Sequence, residues 1–189
     1  KVAMALSELI TKKYPKDTLD ILVFGDDAWQ IEIKDLPYLN VGPYHTNTVA
    51  GLELAMGILR RRKNTNKQIF MITDGKPSAL SMPDGQIYKN SMGLDGYVLA
   101  ETLREVAACR KSGIMINTFM LARDRALVEF VKMVSSITRG RAYFTNTMTL
   151  GQFILMDFLK RKTKTVASAF GAKLVVSSAA MTGEVSMTM

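Results

Sequence analysis

The run Gln68–Thr73, QIFMIT, is nearly all apolar and stops at Asp74-Gly75-Lys76-Pro77. A strand with no polar face has to be covered on both sides, which is the condition of a parallel strand between two helical layers. The rest of the chain supplies candidates for both layers. Leu19–Phe24 (LDILVF) is a second apolar run, and beyond the turn formers GDDA the alternating Trp29–Ile33 completes a hairpin whose second strand should be an antiparallel edge. Further strands are predicted over 114–121 and 142–144. Helical spacing recurs over 1–13 (Val2, Ala5, Leu6, Leu9, Ile10), 49–63, 97–111, 124–137 and 149–162. Residues 34–48 carry two prolines and read as a loop that ends in Thr48 as a helix N-cap. Residues 78–93 read as a polar stretch around the turn Pro83-Asp84-Gly85. Alternation of strand and helix predicts an α/β fold, a doubly wound, mostly parallel open sheet with helices on both faces.

At 189 residues, with 48% hydrophobic and 22% charged, the chain can fill the core of one domain. A single cysteine, Cys109, and a single histidine, His45, exclude an internal disulfide and a Cys/His zinc cluster, so any metal must take oxygen ligands. Cys109 falls within a helix and reads as a packing residue. No apolar run approaches the roughly 20 residues of a membrane span, and the first residues read as an amphipathic helix instead of a signal peptide. This predicts a cytoplasmic protein without a membrane partner. The net charge of +8 invites an acidic partner or nucleic acid. Both basic clusters, Arg60-Arg61-Arg62-Lys63 and Lys160-Arg161-Lys162-Lys164, close apolar helical stretches, where cations suit the carbonyl end of a helix. With no aromatic interleaving, nucleic acid is disfavoured. No G-x-G-x-x-G or G-x-x-x-x-G-K-[ST] motif is present. Beyond residue 162 the composition changes: 163–189 carry only Lys164, Lys173 and Glu184 as charges, so the chain divides into a domain over 1–162 and a tail over 163–189.

Ligands of open α/β sheets sit outside the carboxyl ends of the strands. Two loops belong there, His45-Thr46-Asn47-Thr48 and Thr73-Asp74-Gly75. A hydroxyl from one and a carboxylate from the other are hard donors suited to Mg²⁺, Mn²⁺ or Ca²⁺. The plainer reading makes Asp74 a polar turn residue, Thr46 a partner of nearby backbone and His45 a solvated rim residue.

The pairing of HTNTVAGLELA with QIFMITDGKPS resembles the second and third loops of a von Willebrand factor A (vWA) domain, and the similarity covers about residues 1–162, closest to bacterial stand-alone members. The resemblance implies a metal-ion-dependent adhesion site (MIDAS) built from a D-x-S-x-S loop after the first strand, a threonine and the T-D-G aspartate. Thr46 would then be a direct ligand of Mg²⁺ or Mn²⁺, Asp74 a direct or water-mediated one, and Thr48 a helix cap. D-x-S-x-S itself occurs nowhere, and Lys1 falls inside the helix that should follow that loop. The central first strand is thus missing from its expected place and the site is expected to be incomplete.

Two readings of the tail follow. The preferred one is a segment unrelated to the sheet, which leaves two central edges open to self-association. In the other, Ala172–Val176 (AKLVV) re-enters the sheet and Ser177–Met181 replaces the lost loop, with Val176 where the aspartate belongs, Ala180 where the second serine belongs, and Ser178 as a third candidate ligand. By resemblance the domain is a protein-binding module whose cation is completed by a partner's carboxylate. Bacterial relatives of this kind act beside AAA+ ATPases of the MoxR or magnesium-chelatase type, which makes such an ATPase the expected partner. A hydrolase is not expected, because no second carboxylate or base stands at a recognisable spacing from Asp74. The alternative is a metal-independent interaction domain that offers its basic helix ends to an acidic partner.

Overall fold

A computed structural model describes residues 2–38, 45–92, 94–146, 148–164 and 170–177. In chain order the elements are α1 (Val2–Lys13), β1 (Thr18–Phe24), β2 (Ala28–Ile31), a 3₁₀ helix (Ile33–Tyr38), α2 (Thr48–Arg61), β3 (Asn66–Thr73), β4 (Ala79–Ser81), β5 (Ile87–Lys89), α3 (Gly96–Lys111), β6 (Ile114–Met120), α4 (Arg125–Thr138), β7 (Ala142–Phe144), α5 (Leu150–Lys164) and β8 (Phe170–Ser177). Six strands form one sheet in the order β2-β1-β8-β3-β6-β7. Every neighbouring pair is parallel except the β1–β2 hairpin, whose second strand is the antiparallel edge.

Alternation along the strands splits the core in two. Ile69 and Met71 of β3, Leu22 and Phe24 of β1 and Ile116 of β6 pack with Leu52, Leu59, Val106, Phe130 and Val134 from α2, α3 and α4. Phe70 and Ile72 of β3, Ile21 of β1 and Phe119 of β6 face the other way, onto Ile10 of α1 and Ile154 and Phe158 of α5. A sheet apolar on both faces needs helices on both, and the doubly wound architecture is the result.

The tail is not separate from the sheet. β8 lies between β1 and β3, parallel to both, with Val175 opposite Leu22 on one side and Met71 on the other. This corrects the expectation of an unrelated tail. The physical reason is that two inner strands facing an open slot would leave rows of buried N–H and C=O groups unpaired, and residues 170–177 pair both rows. Self-association through open central edges loses its basis as well, since the edges of the described sheet are β2 and β7, only four and three residues long.

Three local expectations also change. Residues 33–38 form a 3₁₀ turn around Pro37, taking Ile33 from the expected edge strand and 34–38 from the expected loop. The cap of α2 is Asn47, not Thr48: its Oδ1 accepts the Ala50 N–H at 3.1 Å, and Thr48 becomes the first helical residue. The polar stretch after β3 holds the hairpin β4–β5, closed by Gly85 at φ +84° with its N–H donating to Met82 O at 3.0 Å. Strands of three residues are too short to show a period.

Helix α5 is pinned to the sheet by a carboxylate. Asp157, 1% exposed, accepts from Gln68 Nε2 of β3 at 3.1 Å, Asn117 Nδ2 of β6, Arg141 Nη1 at 3.3 Å and Tyr143 Oη of β7 at 2.6 Å. Where α4 ends, Arg139 takes the left-handed conformation (φ 56°) and Gly140 passes so close to β6 that an added Cβ would lie 1.6 Å from Ile116 O. Neither backbone can yield without breaking β6–β7 pairing. Gly140→Ala should therefore lower stability by about 3 kcal/mol, the upper end for overpacking, read as a fall in urea midpoint at unchanged slope.

Candidate functional site

Strands β1, β3 and β8 end side by side, Ser177 opposite Phe24 and Val176 opposite Ile72, so the segments after β1 and β3 share one edge with the end of β8. The loop before α2 joins them there. Asn47 is fully buried and organises the junction: its backbone N–H donates to Gly25 O at 2.7 Å, and its Nδ2 donates to Asp26 O and Ser81 Oγ, both at 2.9 Å. Beside it, Thr46 N–H donates to Ser78 Oγ at 3.0 Å, and Ser78 N–H returns a bond to Thr46 O at 3.0 Å. Thr46 is thereby laid against the loop after β3, where a Cβ added to Gly75 would stand 3.3 Å from Thr46 Oγ1. The turn itself is closed by Thr73, whose hydroxyl donates to Gly75 O at 2.8 Å and accepts the Gly75 N–H at 3.3 Å.

The structure thus brings together the loops of Thr46 and Asp74, as the sequence pattern required. Ser178, the third candidate, lies outside the described residues. Asp74 is half-buried, and its Oδ1 is shut off from solvent without a hydrogen-bond donor among the described residues. Burial pushes its carboxyl above the ordinary value of 3.8, opposed only in part by a backbone hydrogen bond. A buried carboxylate oxygen on one loop and a hydroxyl on the loop laid against it are the donor chemistry of a hard divalent cation, so the two residues present fit part of such a site. A magnesium-type ion that keeps several waters can be held by one or two carboxylates. Among the described residues no cluster of three or more His, Cys, Asp or Glu side chains completes it.

Sequence reading missed Asp26, in the β1–β2 turn. Its Oδ1 accepts the His45 N–H at 2.9 Å and stands 3.5 Å from His45 Nδ1, while its Oδ2 accepts from Lys89 Nζ of β5 at 2.6 Å. His45 Nε2 lies 3.2 Å from Ser91 Oγ, so this histidine is built into the loop junction and not simply solvated. Burial works against ionisation of Asp26, but the Lys89 and His45 hydrogen bonds and their positive charge hold its carboxyl below the ordinary 3.8. The only sequence signal was the turn GDDA, which does not say which of two aspartates turns inward.

These opposite shifts have opposite signs in stability. Asp26, lowered on folding, contributes stability present above pH 3.8 and lost as pH falls through its lowered value. Asp74, raised on folding, contributes stability present below pH 3.8 and lost as pH rises through its raised value. At neutral pH, without added metal, Asp74→Asn should raise the melting temperature and Asp26→Asn should lower it, and each difference should fade in acid. Thermal melts of both variants from pH 3 to 7 read this out.

Cys109 and the first basic cluster make structural contacts, and of the second basic cluster the side chains of Arg161, Lys162 and Lys164 lie outside the description. Cys109 is buried, and burial together with Glu105 pushes its thiol up to about 12, far from a reactive thiolate. In the first basic cluster Arg60 donates to Ser112 Oγ at 3.0 Å and Arg62 pairs with Asp20 at 3.1 Å, ties that belong to a helix end docked on its neighbours. Among the described residues no helix is long and apolar enough to cross a membrane.

Known proteins share the fold. Two solved structures are similar in fold: BatB of Bacteroides thetaiotaomicron, at TM-score 0.57 and 13% identity over 86% of this chain and 89% of that one, and the SpRpn10 VWA domain, at TM-score 0.53 and 15% identity over 77% and 72%. The proteins called Rv0959 in Mycobacterium tuberculosis strain H37Rv and Mb0984 in Mycobacterium bovis are each 29% identical over 167 residues, 85% of this chain. The chain spans only 24% of the length of these relatives. The family described as "Rv0959-like protein, vWA domain" matches residues 1–159, which leaves β8 outside the match. With that match over most of its length, the chain belongs to the Rv0959-like vWA domain family.

Proposed function

We propose that this vWA domain captures a protein partner at the carboxyl edge of its sheet, where Thr46 and Asp74, with Ser178 as a third donor, hold Mg²⁺ or Mn²⁺ weakly. The observation that supports it is Asp74 Oδ1, shielded and without a donor among the described residues, in the loop laid against Thr46. Such a carboxylate is unfavourable in the free domain and is relieved by a cation. When bound, the ion would offer an open position that prefers an anionic oxygen, the carboxylate of a partner. Asn47 and Asp26 are positioning residues: they fix the Thr46 loop against β1, β4 and β5 before any partner arrives. As a partner we propose an AAA+ ATPase of the MoxR or magnesium-chelatase type, a choice that rests on the resemblance to bacterial vWA proteins. The domain itself is proposed to bind and not to catalyse.

Calorimetric titration of Mg²⁺ and Mn²⁺ into chelator-stripped protein tests the cation. Saturable binding that weakens as Asp74 protonates in acid, and disappears in Asp74→Ala, is expected. A folded protein that binds neither ion would leave the metal-independent reading, in which partner binding is sensitive to salt and indifferent to chelator.

A further inference from the structure

The loop after β6 holds a cation at the same edge as Asp74. Leu121 N–H donates to Thr73 O at 3.0 Å, which ties the start of this loop to the residue before Asp74. Three residues on, Asp124 caps α4, its Oδ1 accepting the Leu127 N–H at 3.0 Å. Arg123 stands between these fixed points, exposed, with its guanidinium carbon 6.0 Å from the centre of the Phe144 ring. Phe144 ends β7 opposite Met120, the last residue of β6, and is itself 45% exposed. The other charges of the loop are engaged, Asp124 with the helix N–H and Arg125 with Glu129 at 3.2 Å. Among the described residues no carboxylate stands within ion-pair distance of Arg123. Nor does its charge act on Asp74, whose raised carboxyl reflects burial opposed in part by a backbone hydrogen bond. A guanidinium stacked on a ring, with no carboxylate of its own, loses little freedom when it takes up an anion.

We infer that Arg123 determines specificity at this edge: it takes a second carboxylate of the partner segment whose first carboxylate completes the cation site. The first anchor rests on the cation reading above, the second on Arg123 itself. The sheet sets their spacing. Thr73, Met120 and Phe144 stand in register across β3, β6 and β7, so the Asp74 turn and the Phe144 ring lie two strand spacings apart, about 10 Å. A segment in the polyproline II conformation puts residues i and i+3 on one face about 9 Å apart. The partner is therefore an extended segment with acidic residues at i and i+3.

The test titrates the full chain, with and without Mg²⁺, with the peptide Gly-Asp-Pro-Pro-Asp-Gly and with its Gly-Asp-Pro-Pro-Asn-Gly counterpart, and follows amide and arginine Nε–H resonances. With Mg²⁺ the two-acid peptide is expected to bind about fivefold more tightly, the upper range for an exposed ion pair, and Arg123→Gln should remove that difference. Mg²⁺ affinity and melting temperature should stay at wild-type values in Arg123→Gln. Lys132→Gln, which removes an equal charge from an exposed position of α4, should keep the preference. Equal binding of the two peptides, or a preference that survives Arg123→Gln, would overturn the inference and leave the cation reading standing. If Mg²⁺ does not bind, the cation reading fails alone where Arg123→Gln still weakens the two-acid peptide, and both fail where it does not. Inorganic phosphate, without metal, that shifts the Arg123 resonance at lower concentration than the two-acid peptide would mean recognition of a phosphoryl group and would also overturn the inference.

Discussion

Val175→Pro in β8 should leave the chain unable to fold. Val175 sits in the middle of a strand that pairs with Leu22 of β1 and Met71 of β3, and in the sheet order only β8 joins the β1–β2 hairpin to β3, β6 and β7. Proline removes a ladder donor and crowds the neighbouring strand, at about 3 kcal/mol or more, and in a central strand there is no solvent side to receive it. The loss does not stop at one bond, because the hairpin and the three remaining strands lose register with one another along the whole of β8. Against a total stability of about 5–15 kcal/mol the native state is not expected to survive. Circular dichroism and a urea titration read the result. Val175→Ile, which keeps the backbone donor, serves as control and should unfold cooperatively like wild type. A proline variant with an unchanged midpoint would mean that β8 does not hold the sheet.

Asp157→Ala should be the most damaging single side-chain truncation, at about 3–5 kcal/mol. Gln68, Asn117, Arg141 and Tyr143 come from β3, β6, the end of the α4–β7 connection and β7, and all four donate to this one carboxylate. The Arg141 side chain is 45% exposed and can turn to water, which recovers part of its loss. Gln68 and Asn117 are buried and cannot, so each keeps an unmatched donor at about 1–3 kcal/mol. Asp157→Asn retains the shape but places an amide N–H among donors, and its cost should fall between wild type and Asp157→Ala. Urea midpoints of the three proteins in that order check the account. Equal midpoints for all three would mean that the hub contributes nothing net.

How much of this was legible in the sequence follows from how local each signal is. QIFMIT and LDILVF declared their strands because burial on both faces is written in consecutive residues, and the hairpin edge at Trp29–Ile33 showed its alternation. AKLVV was readable as a strand, but its slot in the sheet stood only as the second of two readings, since a place between β1 and β3 depends on residues about 100 or more positions away in the chain. The same distance hid the hub: Asp157 and Gln68 are 89 residues apart, and nothing near either names the other. Thr46 and Asp74 could be found because each stands at a strand-to-helix or strand-to-loop junction with a recognisable motif. Asp26 and Asn47 could not be ranked above their neighbours Asp27 and Thr48 until the hydrogen bonds were known, because either residue of each pair has the right chemistry.

The most direct test of the site is a Mn²⁺ titration of isotopically labelled protein followed by amide resonances, because the paramagnetic ion broadens only its surroundings. Early loss of signal at Thr46, Asn47, Asp74 and Gly75, absent in Asp74→Ala, is the predicted result. Broadening scattered over surface carboxylates, or identical in the Asp74→Ala protein, would contradict a cation site at this edge.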